Sequence, residues 1–337
     1  MPRLRNRLLI GFALGILVML ALAFWSDFSS LQKILGRFRW GFFPLALACT
    51  LFNYVLRFVK WHYYVRRIGA ADLAIADSAR LFVAGFPLAM TPGKVGEALK
   101  AFWLAEWSGV PFSRGLPVVL AERFSDGLAV MALSALGVFS VPALWPAFLF
   151  VLAASLAVIV LSQFRPLATA VFRWMETWPF VGAKIHPLRE FYESGRLLLQ
   201  PVPLMFAVFL GTVSWLGEGV GFFLILLGLG FPASGPLLTG AVFALAVSTL
   251  VGSASTLPGG LGAAEASITG LLLLTVTTED AAAGAATLLI RLATLWFGVG
   301  LGLAVWAVTP RLWKKDASDL SAPSNTSSDS GLGESHG

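Results

Sequence analysis

The sequence predicts an all-α protein that crosses a membrane several times. Its 337 residues are 57% hydrophobic and 12% charged, and their mean hydropathy is +0.81. A soluble globular domain carries about 25% charged residues, so this chain lacks the polar side chains to cover a water-facing surface. Apolar runs long enough to cross about 30 Å of hydrocarbon recur along the chain and, with two broken segments, predict about eight membrane segments.

The uninterrupted apolar runs end at basic residues that predict their orientation. The predicted spans are residues 8–24, 42–59, 115–139, 145–163, 204–229 and 285–308. Lys and Arg are enriched on the cytoplasmic side of membrane proteins. The residues that mark cytoplasmic ends are Arg57, Lys60, Arg66 and Arg67 after the second run and Arg311, Lys314 and Lys315 after the last. We therefore expect both termini in the cytoplasm and a multi-pass protein of the bacterial inner membrane.

Three flanking segments are assigned from their composition. Residues 8–24 form either a first span or a signal peptide ending at Ala21-Leu22-Ala23, and both alternatives leave residue 27 outside. The polar segment 164–203 either lies flat on the cytoplasmic surface or folds back as a loop without contact to lipid. Residues 1–310 thus form one integral membrane domain, whereas 311–337, rich in Ser, Asp and Gly, are a predicted disordered cytoplasmic tail.

Two further apolar segments, 80–106 and 237–276, are interrupted in the middle. The first contains PGKVGE at 92–97 and the second contains LPGGLGAAE at 257–265. A proline inside an apolar run breaks the helix, so each segment is predicted to form two arms. In the first segment the arm 79–90 is short for a crossing, which favours a re-entrant hairpin. For the second segment, a hairpin and two full spans both remain open.

The two broken segments form a predicted internal repeat. Both carry P-G-x-x-G with a glutamate in the next turn, and a lone arginine, Arg123 or Arg291, follows each one inside an apolar run. An odd number of predicted spans separates the two copies, so the second enters the membrane from the opposite face. This is an inverted repeat, an arrangement that many transporters share.

The pattern around each break suggests an anion site. A helix that starts after a break presents free backbone N–H groups, which attract anions, and glycines let a ligand approach the backbone. We expect Arg123, Arg291 and these helix ends to bind a phosphate. Glu97 and Glu265 then hold a cationic headgroup, pair with the arginines or carry a proton. The candidate substrate-binding residues are Pro92, Gly93, Lys94, Gly96, Glu97, Glu122, Arg123, Asp126, Pro258, Gly259, Gly260, Gly262, Glu265 and Arg291.

The same charges have a purely structural alternative. A charge at membrane depth costs about 2.5–3.5 kcal/mol on insertion scales, so such groups tend to pair. At helical spacing, Glu97 has Lys94 and Lys100 as neighbours, and Arg123 has Asp126. The size of the whole set, which includes Glu122 and Glu218, favours a polar path instead.

Signatures of catalysis and of cofactor or metal binding are missing from the sequence. The three histidines lack metal-ligand spacing, and there is no P-loop, G-x-S-x-G or H-E-x-x-H. The single cysteine, Cys49, cannot form an intrachain disulfide. The basic residues form no continuous stripe, which argues against nucleic acid as a partner. We expect a protein that is not an enzyme and holds no cofactor.

Two apolar patterns are assigned structural roles. Gly298, Gly300 and Gly302 lie within a predicted span and indicate helix packing rather than nucleotide binding. Four tryptophans are expected to anchor the chain at the membrane–water interfaces, namely Trp40, Trp61, Trp103 and Trp107.

In the order and spacing of its motifs, the chain resembles the lysylphosphatidylglycerol synthase transmembrane-region family, also called flippase-like domain proteins. The resemblance extends over nearly all of residues 5–310. The matching pieces are Arg57, Lys60 and Trp61 in R-x-x-K-W, PGKVGE at 92–97, ERFSD at 122–126, LPGGLGAAE at 257–265, and Arg291. The resemblance implies the lipid-flipping membrane half of bacterial aminoacyl-phosphatidylglycerol synthases. It does not extend to their soluble aminoacyl-transferase domain, so we expect no binding of aminoacyl-tRNA.

The leading hypothesis is therefore a lipid transporter that moves a phosphate-bearing lipid, either a phospholipid or a polyprenyl or glycolipid phosphate, between leaflets. The second hypothesis is a lipid-binding membrane subunit that supports a separate glycosyl- or aminoacyl-transferase as its partner. The third is a membrane-embedded enzyme that acts on lipid.

Overall fold

The computed structural model describes Leu17 and residues 28–138, 141–178 and 185–312, and among these residues every regular element is helical. The α-helices are α1 Phe28–Arg37, α2 Phe42–Arg67, α3 Ile75–Ala84, α4 Ala98–Ser108, α5 Phe112–Val138, α6 Trp145–Gln163, α7 Arg165–Glu176, α8 Ile185–Leu198, α9 Pro201–Gly228, α10 Gly235–Ala254, α11 Ala263–Thr275, α12 Asp280–Arg291 and α13 Phe297–Val308. The predicted first span and the predicted tail beyond Leu312 lie outside the described residues.

Five helices in the described part of the chain are long and apolar enough to cross a membrane. They are Phe42–Arg67, Pro142–Gln163, Pro201–Gly228, Gly235–Ala254 and Asp280–Val308. The last joins α12 and α13 through a π-helical turn at Leu292–Trp296. Helix α5 has 27 residues and is also long enough to cross, but the charged residues Glu122, Arg123 and Asp126 near its middle make it less apolar than these five. The protein is thus a helical multi-pass membrane protein, as the sequence predicts.

The first predicted break separates two short helices. Helix α3 ends at Ala84, 3₁₀ turns follow at Phe86–Met90 and Pro92–Glu97, and α4 then begins. Thr91 is extended between the two turns. Its hydroxyl accepts a hydrogen bond from the Gly96 N–H at 2.9 Å. The α-helix thus ends six residues before Met90, the predicted end of the arm. Pro92, which cannot donate a backbone hydrogen bond, begins the second turn, so the break itself lies where the sequence predicts.

The second break has the same plan and touches the first. Helix α10 ends before Thr256, which has a positive φ of 56°, and a short turn at Pro258–Gly260 leads to α11. The Gly93 N–H donates a hydrogen bond to the Thr256 carbonyl oxygen at 2.7 Å. The two breaks, 163 residues apart along the chain between these two atoms, therefore meet through their backbones.

Small residues allow the long helices to pack closely. A Cβ atom at Gly219 of α9 would lie 3.2 Å from Val242 Cα of α10, so only glycine fits there without a shift. On α13, Gly298 packs against the Tyr54 hydroxyl and Gly302 against the Pro87 ring. The prediction that the glycine pattern at 298–302 serves helix packing is confirmed at these two positions.

The tryptophan prediction is wrong for two of its four residues. Trp61 and Trp103 are buried in the protein core beside Phe82 and Leu104 rather than placed at a lipid interface. The Trp61 ring instead packs against the buried ammonium group of Lys100, so a cation–π contact holds it in place in addition to apolar contacts. Trp40 is exposed, as an interface residue would be.

Candidate functional site

Three charged side chains in the middle of α5 form the centre of a buried ion-pair network. Glu122 is 0% exposed and accepts hydrogen bonds from Lys100 Nζ at 2.7 Å and Arg123 Nη2 at 3.1 Å. One turn later, Asp126 lies 2.5 Å from Lys60 Nζ. Glu122 and Asp126 follow each other at the i, i+4 spacing that places both on one face of the helix. We call the seven ionic residues of this network the charge cluster, namely Arg57, Lys60, Glu97, Lys100, Glu122, Arg123 and Asp126.

Two cations of the charge cluster come from the interior of α2. Arg57 Nη2 lies 3.2 Å from Asp126 and 3.5 Å from Glu122, and Lys60 is 0% exposed. The prediction that these two residues mark a cytoplasmic surface is wrong. The helix continues to Arg67, and its last two residues, Arg66 and Arg67, are the exposed ones.

Lys100 is held by one carboxylate and two aromatic rings. Its Nζ atom lies 4.1 Å from the centre of the Trp61 ring and 5.3 Å from that of Phe82, in addition to the contact with Glu122. Aromatic faces attract cations most strongly where water is excluded. The expected pair of Lys100 with Glu97 within one helix does not form, because Lys100 turns toward α5 instead.

The two copies of the predicted repeat carry equivalent ion pairs at their breaks. Arg123 Nε lies 2.9 Å from Glu97 Oε2, and Arg291 Nε lies 2.5 Å from Glu265 Oε1. In both pairs, 26 residues separate the glutamate from the arginine. Of the three roles left open for Glu97 and Glu265, pairing with the arginines is the one this structure displays. The equal spacing and shared use of Nε support the interpretation of the two segments as a repeat.

Several backbone N–H groups at the breaks, which the sequence predicts to be free, are bound within the protein. The Gly262 N–H donates to Glu265 Oε2 at 2.7 Å, so the carboxylate caps the start of α11. The Gly93 and Gly96 N–H groups bind Thr256 and Thr91. These amides are therefore not free to hold a phosphate in this structure. The cationic side chains that line the cavity are the other groups that could bind an anion.

Gly259 and Gly260 serve the contact between the breaks. Both have positive φ angles, 62° and 68°, which side chains other than glycine rarely adopt. A Cβ atom at Gly260 would lie 2.9 Å from Gly252 Cα, and one at Gly259 would lie 2.8 Å from Met90 Sδ. The close approach that these glycines permit is therefore made by the neighbouring protein chain.

A cavity of about 170 Å³, here called the central cavity, opens where the breaks, α2, α9 and α10 meet. Four cations and two carboxylates line it, and Tyr54 and Trp215 add polar edges. The charged lining residues are Arg57, Glu97, Lys100, Arg123, Glu218 and Arg291. The Tyr54 hydroxyl donates to the Thr294 carbonyl at 2.8 Å, within the π-helical turn after Arg291. Such turns are frequent at functional sites.

The structure brings most of the candidate site residues to this region. Those that line the central cavity are Glu97, Arg123, Gly259, Gly260 and Arg291. Glu122, Asp126 and Glu265 pair with its lining cations. Gly93, Gly96, Pro258 and Gly262 shape the breaks. The side chains of Pro92 and Lys94 lie outside the described part of the structure.

Three cations of the site were not among the candidates, namely Arg57, Lys60 and Lys100. A signal for two of them is present in α2. Thr50, Asn53, Arg57, Lys60 and Tyr64 recur every three or four residues and form a polar face on an otherwise apolar helix. All five are buried.

The charge cluster is nearly balanced within itself. Each buried ion costs several kcal/mol of desolvation in a real protein, and only close opposite charges offset that cost. Four cations meet three carboxylates in the cluster, so one positive charge has no counterpart within it. The pair Arg291–Glu265 is neutral, and Arg291 Nη2 also donates to the Gly259 carbonyl at 3.0 Å. Glu218 also lines the central cavity, so the region holds five cations and five carboxylates. It is neutral when Glu218 is ionised and carries one positive charge when Glu218 is protonated.

Comparison with known proteins agrees with this arrangement of motifs. The family model for the "lysylphosphatidylglycerol synthase TM region" matches residues 10–302. The chain is also similar to a "UPF0104 membrane protein" from Methanothermobacter thermautotrophicus, with 26% identity over 310 residues that cover 86% of this chain and 90% of that protein. No solved structure matches this chain. The chain therefore belongs to the family of lysylphosphatidylglycerol synthase transmembrane regions.

Proposed function

We propose that the protein is a lipid transporter, which moves the headgroup of a phosphate-bearing lipid between leaflets through the central cavity. The observation that carries this proposal is the charge of the cavity lining. Arg57, Lys100, Arg123 and Arg291 face the cavity, against only Glu97 and Glu218. A phosphate in the cavity would meet four cationic side chains, and arginine binds phosphate oxygens through two parallel hydrogen bonds.

The size of the central cavity favours a headgroup rather than a whole lipid. Pockets that enclose drug-sized ligands measure about 300–1,000 Å³. The cavity holds about 170 Å³, which is enough for a phosphate with a small substituent. The acyl or prenyl chains would remain in the bilayer while the polar end passes through the protein.

We further propose that the two breaks are tips of re-entrant hairpins that enter from opposite faces. Helices α3 and α4 have 10 and 11 residues. At 1.5 Å per residue they rise about 15–17 Å, roughly half of a 30 Å hydrocarbon core. Helix α11 has 13 residues and is also short for a crossing, although α10 with 20 is not. Backbone contact between the tips and the matched ion pairs support an inverted repeat with its site near the midplane.

The proposal places the protein in the bacterial inner membrane with both termini in the cytoplasm. Helix α7 then lies on the cytoplasmic surface, because it exposes a row of apolar side chains beside its charged residues. This exposed row consists of Leu167, Val171 and Trp174. The proposal assigns no chemical conversion of the lipid to this chain.

A reconstituted exchange assay tests the transporter proposal. The purified chain is placed in vesicles with trace fluorescent lipids, either phosphatidylglycerol or a polyprenyl phosphate, and dithionite reports the fraction that reaches the outer leaflet. We expect exchange of at least one phosphate lipid. Arg123→Gln and Arg291→Gln should each abolish it, and Arg80→Gln is the matched control, because Arg80 pairs with Asp77 at the surface.

The outcomes separate the hypotheses. Full exchange by both cavity variants would overturn the proposed site, provided that each variant elutes and melts as a folded protein. Binding of lipid without exchange by the parent protein would overturn the transporter and favour the lipid-binding subunit. Chemical conversion of the lipid by the purified chain would identify an enzyme.

A further inference from the structure

Glu218 is a buried carboxylate that has no ionic or hydrogen-bonding partner in the part of the chain that the structure describes. It lies in the middle of α9, is 5% exposed and lines the central cavity. The other buried carboxylates of the region, Glu97, Glu122, Asp126 and Glu265, each form an ion pair or hydrogen bond with a cation. Among the described residues, Glu218 forms neither. A buried charge without a partner is costly, so an unpaired carboxylate in a cavity calls for an explanation.

The charged groups that face Glu218 come from three of the helices packed against α9. Arg57 of α2, Asp126 of α5 and Arg291 of α12 are the charged groups whose electrostatic influence reaches it. The phenol of Tyr54, also on α2, is a further titratable group that interacts with it across the cavity. Helix α10 carries no charged or titratable residue, and α8 contributes none to the central cavity. The other charged groups at the same cavity are Arg123 of α5 and the hairpin residues Glu97 and Lys100.

We propose that Glu218 is a proton-binding site that takes up one proton when an anionic headgroup enters the central cavity and releases it when the headgroup leaves. This inference rests on the proposed phosphate site. In the empty cavity, the positive charges of Arg57 and Arg291 favour the ionised form of Glu218, although neither forms an ion pair with it. A phosphate in the cavity draws on the same two cations and places a second negative charge beside Glu218. A like charge favours the neutral form of a carboxyl group.

The proton balance of this step is simple. One proton leaves the water or buffer at the mouth of the cavity and binds a carboxylate oxygen of Glu218, so the anion and the proton enter as a neutral pair. The carboxylic acid can then donate a hydrogen bond to a phosphate oxygen. Through this coupling, a proton gradient across the membrane would drive the headgroup in one direction.

Calorimetry of lipid binding tests the inference on the full chain in detergent. The probe is dioctanoyl phosphatidylglycerol, whose phosphodiester does not titrate near neutral pH. Titrations in buffers of different ionisation enthalpy count the protons taken up per lipid. We expect up to one proton for the parent protein, with a Kd that falls up to about tenfold for each unit by which the pH is lowered. Glu218→Gln should bind the probe with no uptake and no pH dependence.

Two further variants complete the test. Glu218→Asp retains a carboxyl group and should retain proton uptake, and Glu279→Gln, an exposed acid outside the cavity, should behave as the parent protein. Binding by the parent protein without proton uptake would overturn the inference and leave the phosphate site standing, as would uptake that persists in Glu218→Gln. Failure of every protein to bind the probe at any pH would overturn both the phosphate site and the inference.

Discussion

The charge cluster predicts an unusual response to the loss of Glu122. Among the described side chains, Glu122 is the only carboxylate within ion-pair distance of Lys100, whereas Lys100 is one of three cations around Glu122. Glu122→Gln therefore leaves a fully buried ammonium group without a counter-charge. Removal of one partner from a buried pair costs about 3–5 kcal/mol of unfolding free energy.

Removal of Lys100, the other partner of this ion pair, should lower the free energy of unfolding by less. In Lys100→Met, Glu122 keeps Arg123 at 3.1 Å and Arg57 at 3.5 Å, so it loses one charged hydrogen bond, worth about 1.5–3 kcal/mol. The methionine thioether still packs against the Trp61 ring. The double variant Glu122→Gln/Lys100→Met contains no unpaired ammonium group. We expect it to be more stable than Glu122→Gln alone by about 1–3 kcal/mol, the cost of one unsatisfied buried group.

Equilibrium unfolding measures these differences. The protein is purified in mild detergent, the mole fraction of SDS is raised, and tryptophan fluorescence reports the unfolded fraction. Asp77→Asn, at an exposed ion pair, is the control and should change the free energy by no more than about 1 kcal/mol. A double variant that is less stable than Glu122→Gln would refute the assignment of Lys100 to Glu122.

Two further predictions concern packing and pH. Gly302→Ala places a methyl group against the Pro87 ring and should lower the free energy of unfolding by about 1–3 kcal/mol in the same SDS titration. Gly300→Ala faces open space and should be neutral or stabilising by up to about 1 kcal/mol, so equal losses would contradict the packing account. The Ser113 hydroxyl donates a hydrogen bond to Glu190, and this bond is the main reason that the pKa of Glu190 lies below its ordinary value. The positive charge of Arg114 lowers the same pKa further. The contact between α8 and α5 should therefore be intact at pH values above the ordinary carboxyl pKa. It should weaken as the pH falls through the lowered pKa of Glu190 in the folded protein. Hydrogen exchange of the backbone amides of residues 185–198 measures how this contact depends on pH. A pH response that persists in Glu190→Gln would show that another group causes it.

The sequence was sufficient for the fold class and for both breaks, because these depend on local chemistry. Hydropathy predicts long membrane helices, and Pro92 and Pro258 mark the breaks, where each begins a short turn between two helices. The pairing of each motif glutamate with a later arginine was one of three open alternatives. Sequence could not choose among them, since the choice depends on how α5 and α12 pack beside the breaks.

The remaining site residues depend on contacts between helices. The orientation rule assigned Arg57 and Lys60 to the cytoplasm, because the rule counts basic residues near span ends and the helix runs further than the apolar run. The cap on α11 did have a local signal. Glu265 follows Gly262 by three residues, which is the spacing of a capping box, and its carboxylate occupies the helix end expected to hold phosphate.

The hydrogen bond between the Gly93 N–H and the Thr256 oxygen has a mechanical consequence. Both atoms belong to the main chain, so no substitution other than proline at position 93 removes them. Gly93 and Thr256 are both exposed, so where this surface meets hydrocarbon, a motion that separates the two breaks would leave both groups unsatisfied at a cost of several kcal/mol. A motion that keeps the bond must carry both breaks together. We therefore expect the two breaks to move as one unit in any opening of the cavity, with the neighbouring helices turning about them.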